Sequence, residues 1–96
     1  MPRAIEVIAR IGGSDGERKR FVGREAWALR ELAKAQDQGV STIEHVGPRL
    51  SHYVMKIRQA GIAIETVKEP HAGAYRGWHA RYKLRTPITI EQEVLA

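Results

Sequence analysis

No cysteine occurs in the 96 residues. That excludes a disulfide framework, a thiolate zinc site and a cysteine nucleophile, and it fits a reducing cytoplasm. No apolar run approaches the roughly 20 residues that a membrane-spanning helix needs, so no membrane partner is expected. Met1-Pro2-Arg3 leads straight into an alternating stretch, and no signal peptide is expected. No repeat, heptad array or low-complexity segment is visible. Acids are scarce over one long window. From His45 to Arg85 the basic residues are Arg49, Lys56, Arg58, Lys68, Arg76, Arg81, Lys83 and Arg85, and the acids are only Glu65 and Glu69. Eight against two leaves the window at +6; eight basic residues against nine acids leave the rest at −1, within a total of +5. Such a concentration is the footprint of a polyanion binder. The bland alternative is a solvated surface that keeps a small protein soluble.

Catalytic and metal-binding patterns are missing as well. His45, His52, His71 and His79 include no pair four apart, as a zinc-binding helix would require. Glu65 and Glu69 alone are too few for a metal-dependent nuclease. Ser14 and Ser51 have no His and Asp arrangement around them. Gly12-Gly13 and Gly16 suggest a phosphate loop, but the Lys-Ser/Thr that should follow is absent. The chain therefore reads as a non-enzyme, with no cofactor and no metal.

What is present is one small domain with a modest core. Ile5, Val7, Ala9 and Ile11 alternate with polar residues, and Gly12 to Gly16 is a turn signal. Glu17 to Val22 then reads as a charged second strand. Residues 1–22 are thus expected to form an N-terminal hairpin extension. Arg24 to Gln38 has helical spacing, with Leu29 and Leu32 on one side and Trp27 nearly opposite, packing under the hairpin; Gly39 ends it. Ser41 and Glu44 look like a capping box opening a helix of barely two turns, stopped at Gly47-Pro48. A third helix runs from Pro48 to Ala60, with Leu50, Tyr53, Val54 and Ile57 at apolar positions and Gly61 as its cap. Ile62 to Val67 is β-branched, Glu69 to Gly77 is a loop, and His79 to Arg85 alternates strictly. Ala80, Tyr82 and Leu84 fall on one side of that strand. Trp78 shares their parity and is expected to cap the core. Pro87 to Ala96 is a tail in which Ile88 to Ile90 could add an edge strand and Glu91 to Leu95 a frayed helical turn. The domain proper is 23–86 and the tail 87–96.

Helix, turn, helix and hairpin is the order of a winged helix-turn-helix. The segments Ile57 to Thr66 and His79 to Leu84 resemble a family of small winged helix-turn-helix proteins of bacterial and phage genomes. Gly23 to Leu29 and Gly47-Pro48-Arg49 fit the same likeness, which covers about Gly23 to Leu84. The resemblance implies an α+β fold of three helices plus a C-terminal β-hairpin wing, here with the N-terminal hairpin added. It also implies DNA binding, as in a transcriptional regulator or a phage or mobile-element accessory factor.

On that reading helix 48–60 enters a major groove, and the wing 68–81 contacts backbone or minor groove. Ser51, His52, Met55, Lys56 and Gln59 point away from the apolar set. Gln59 can pair with adenine, Ser51 with several bases, and Met55 with a thymine methyl. Lys56 can serve guanine or phosphate. Arg49, in the first turn, lies where backbone N–H groups favour a phosphate. Lys68, Tyr75, Arg76 and Arg81 are the wing candidates, with Arg76 assigned to phosphate or minor groove. Double-stranded DNA is the expected partner. A homodimer is expected from Trp27, the strand at Ile5 to Ile11, and Ile88 with Ile90. Two readings compete: a protein-interaction winged helix, kept open by Met55, and a non-specific RNA or DNA binder.

Overall fold

The structure is a computed structural model, and it describes residues 4–13, 15–41, 50–71 and 77–95. In chain order the elements are β1 (Ala4–Ile11), β2 (Glu17–Val22), α1 (Gly23–Ala35), a 3₁₀ turn (Gln36–Gln38) and β3 (Val40–Ser41). Then come α2 (Leu50–Gln59), β4 (Ile64–His71), β5 (Gly77–Leu84) and β6 (Ile88–Leu95). The strands form two three-stranded sheets, ordered β2-β1-β6 and β3-β5-β4.

The first sheet grows from the N-terminal hairpin. β1 and β2 pair antiparallel, with Val7 opposite Phe21 and Ala9 opposite Lys19. The turn is closed by the Gly16 N–H donating to the Gly13 carbonyl at 2.8 Å. A two-stranded hairpin alone is barely stable, and β6 supplies the third strand on the other side of β1. The whole of Ile88–Leu95 is strand, so the helical turn expected at Glu91 to Leu95 does not form. Pairing with β1 satisfies one side of its backbone and overrides the helix preference of Glu91-Gln92-Glu93.

One face of this sheet lies against α1. Alternation turns Val7, Ala9 and Phe21 to that side, and all three are buried. α1 contributes Ala26, Ala28, Leu29 and Leu32, and its alanines let β1 come close. Trp27 is half-buried against the same core. α2 adds Leu50, Val54 and Ile57, and the second sheet adds Val40, Ile64 and Tyr82. Leu84 packs partly buried against them. The helix phase expected for α2 is therefore the observed one. Val40 and Ile62 join the core without having been expected there.

The class is α+β, but the three-helix count is corrected: the described residues hold two α-helices and six strands in two sheets. Ser41 pairs with Arg81 as the end of β3 and is buried. Gly39 makes that pairing possible. Its φ is +73°, and a Cβ there would stand 2.7 Å from the Tyr82 carbonyl oxygen, so β5 can approach only a glycine. Glu44 and the rest of the expected short helix lie outside the described residues. Gly61, at φ +96°, follows α2 as expected, with its N–H donating to the Arg58 carbonyl at 3.0 Å.

Candidate nucleic-acid interface

α2 presents a polar face because its apolar positions are used up inside. Leu50, Val54 and Ile57 are buried, and Ser51, Met55, Lys56 and Gln59 are exposed around the opposite side. Met55 is 48% exposed at the middle of that stripe. His52 is half-buried, its ring edge-on to Tyr53 with centroids 5.3 Å apart. Lys56 forms no ion pair among the described residues.

The wing is the β4–β5 hairpin, and its register sorts its side chains onto two faces. Ile64 stands opposite Leu84, Thr66 opposite Tyr82 and Lys68 opposite Ala80. Arg58 of α2 donates through Nη2 to Thr66 Oγ1 at 2.8 Å, so this face is turned toward α2. Lys68 is exposed on it and has no ion pair among the described residues. Lys68 is thus exposed on the wing face that Arg58 of α2 contacts.

Arg81 is on the other face of the wing, together with Glu69, His79 and Lys83. It is not free. Its Nε donates to Glu69 Oε2 at 2.8 Å and its Nη1 to the Gln38 carbonyl at 3.0 Å, with the side chain only 17% exposed. His79 Nε2 lies 3.0 Å from the second oxygen of Glu69. The Arg81 hydrogen bond, supported by His79, holds the Glu69 carboxyl below the usual carboxylate range, against a desolvation that works the other way. Arg85 is likewise engaged, by Glu65 at 2.7 Å and Asp37 at 3.1 Å, and Glu65 keeps its guanidinium pKa raised.

Of the residues expected to meet DNA, Ser51, His52, Met55, Lys56 and Gln59 lie on α2, and Lys68 lies on the wing face that Arg58 contacts. Arg81 is on the opposite face of the wing. Arg49, Tyr75 and Arg76 lie outside the described residues, as does the side chain of Trp78. Two further cations donate to backbone carbonyls. Arg58 donates twice to the Ile64 carbonyl, at 3.2 Å from Nε and 2.6 Å from Nη2, and Lys19 Nζ donates to the Ala60 carbonyl at 2.7 Å. The sequence offered one signal for Arg58, a cation in the last turn of a helix, where free carbonyls and the helix dipole attract it. Lys19 gave none, because its partner is 41 residues away.

Among the described residues no three His, Asp or Glu side chains gather as a metal site would. No helix there is long and apolar enough to cross a membrane. Over residues 18–94, from within β2 to within β6, the chain matches the family described as a winged helix domain. No curated protein and no solved structure matches it.

Proposed function

We propose, from the premise that the chain belongs to the winged helix domain family, that it binds double-stranded DNA with α2 in the major groove and the wing against backbone or minor groove. The fold is of a DNA-binding type, but fold alone does not assign a function. One observation carries the reading. Ser51, Met55, Lys56 and Gln59 are exposed on a single helix face, Lys68 is exposed on the wing face that Arg58 of the same helix contacts, and neither lysine has an ion pair among the described residues. Such a face offers base-edge donors and acceptors together with phosphate-seeking charge. Arg49, Tyr75 and Arg76 extend the proposed contacts to the helix start and wing tip, and Arg81 supports the wing from behind.

The proposed role is that of a transcriptional regulator, or of a phage or mobile-element accessory factor, working in the cytoplasm. A homodimer suits it. Ile5, Val22, Val94 and Leu95 are exposed on the first sheet, and two half-sites about one helical turn apart, roughly 34–36 Å, would give selectivity to so small a reader. Selection of bound sequences from a random duplex pool at physiological salt tests the reading. Enrichment of one sequence supports it, and equal retention of all duplexes selects a non-specific binder. The exposed Met55 favours a second reading, a protein-interaction winged helix. A chain that retains no duplex but captures a protein bait would select that one.

A further inference from the structure

The C-terminal end of α2 is held by two cations from two different sides. Lys19 belongs to β2, and its register opposite Ala9 sets it on the inner face of the first sheet, facing the helices. Its ammonium reaches the Ala60 carbonyl at 2.7 Å, in a partly buried bond. That carbonyl follows the last residue of α2, where the helix leaves its acceptors unpaired and its dipole is negative. Arg58 grips the start of the wing from the same helical turn, through the Ile64 carbonyl and Thr66 Oγ1. A point charge on one side and a planar fork on the other thus fix one helix end between the N-terminal hairpin and the wing. Neither cation has a carboxylate among these partners, and both donate to oxygens of the protein.

We infer that Lys19 and Arg58 are positioning residues: they orient the outward face of α2 relative to the wing, and the N-terminal hairpin serves recognition through Lys19 without touching the nucleic acid. The inference rests, for its binding consequence, on the DNA-binding reading above. It separates these two cations from Lys56 and Lys68, which face outward.

The test pairs duplex affinity, measured across a range of salt concentrations, with amide hydrogen exchange on the free protein. The duplex is the sequence enriched from the random pool, and the variants are Lys19→Met, Arg58→Met and Lys56→Ala. Lys19→Met and Arg58→Met each remove charge-assisted hydrogen bonds and should weaken binding about tenfold. The slope of log K against log salt should stay that of the parent, because every phosphate remains neutralised as before. Lys56→Ala should lower the slope by about 0.9. In the free protein the Ala60 and Gly61 amides, which donate to Ile57 and Arg58, should exchange faster in both methionine variants. A slope reduced by about 0.9 in Lys19→Met or Arg58→Met would make that residue a phosphate ligand and overturn the inference. Parent-like affinity together with parent-like exchange would overturn it too. If Lys19→Met does not fold, Lys19→Arg carries the test: it keeps a donor for the Ala60 carbonyl and should match the parent in affinity, slope and exchange, and weakened binding would count against the brace. Should the parent retain no duplex, the DNA reading falls, and the exchange measurement alone then decides whether the two cations hold the helix end.

Discussion

In the first sheet each described cation has an acceptor close by. Arg10 and Arg18 share the two oxygens of Glu91 at 3.1 and 2.6 Å, Arg20 meets Glu6 at 3.2 Å, and Lys19 is bonded to Ala60. The regions of α2 and the wing differ from it in how their cations are engaged: those of the first sheet are already bonded to protein acceptors, while Lys56 and Lys68 have no ion pair among the described residues. A cation already bonded must give up that partner to meet a phosphate, so the bonds in the first sheet matter as much as the two lysines. Exposed pairs contribute little to stability, and their clearer effect here is to keep the sheet's basic residues from acting as a second binding surface.

The largest expected effect separates the two regions by their cores. Ile57 is fully buried where α2 meets α1, so Ile57→Ala should cost about 2–5 kcal/mol in chemical denaturation. That is a large share of the stability of so small a domain, and the exposed face of α2 would lose its order with it. Arg20→Ala, on the outer face of the first sheet with the Arg20 side chain 64% exposed, should leave the denaturation midpoint where it was. Comparable destabilisation of the two variants would break the division.

The next effect is in selectivity. Gln59→Ala and His52→Ala should change the sequences enriched from a random pool, by about 1–3 kcal/mol for each good base pairing removed. Arg18→Ala should leave the enriched sequences as they were. If the same sequences emerge from all three variants, recognition does not run through α2.

Salt sharpens the comparison further. Lys56→Ala and Lys68→Ala should each reduce the slope of log K against log salt by about 0.9. Arg18→Ala should not reduce it, since that guanidinium is occupied by Glu91. A flat salt response in the parent would remove nucleic acid as the partner.

Much of this arrangement can be read from periodicity, and what cannot has a common cause. The phase of α2, the parity of β5 and the N-terminal hairpin follow from local spacing, because a helix or strand repeats its burial every few residues. The pairing of Ser41 with Arg81, a residue 40 positions on, leaves no local pattern, and Gly39 looks like an ordinary helix stop. β6 is half-legible: Ile88-Thr89-Ile90 has strand character, while Glu91-Gln92-Glu93 acquires it only from β1. Among the site residues, Ser51, Met55, Lys56 and Gln59 are legible as an exposed face. Arg81 reads as one more cation of the outer stripe until Glu69 and Gln38 are seen around it. Counting charge by segment locates the basic window, but which cations are bonded to protein acceptors depends on partners 6 to 81 residues away.

The smallest expected effect compares two carboxylates that do the same task in the two regions. Glu91 bridges Arg10 and Arg18 in the first sheet, and Glu69 bridges Arg81 and His79 in the wing. Both carboxyls are held below the usual range, Glu91 first by its hydrogen bond from Arg10 and Glu69 first by that from Arg81. A carboxylate whose pKa is lower in the folded than in the unfolded chain binds protons more readily when unfolded. It therefore adds stability above the unfolded value, about 4.3 for Glu, and that contribution is lost as pH falls through the lower folded value. The melting temperature of the parent should fall below about pH 4.3, and in Glu91→Gln and Glu69→Gln it should fall less steeply, because glutamine has no proton to take up. Near neutral pH the same two variants should melt slightly below the parent, and added salt should narrow the gap by screening these exposed pairs. Below the transition Glu69 releases Arg81 and His79, whereas Glu91 releases Arg10 and Arg18. Glu69→Gln should consequently alter duplex binding at neutral pH through the wing, and Glu91→Gln should alter it only by freeing charge on the far sheet. Acid limbs of equal steepness in the parent and both variants would show that neither carboxyl is depressed in the folded chain, and the two bridges would then be surface pairs without consequence.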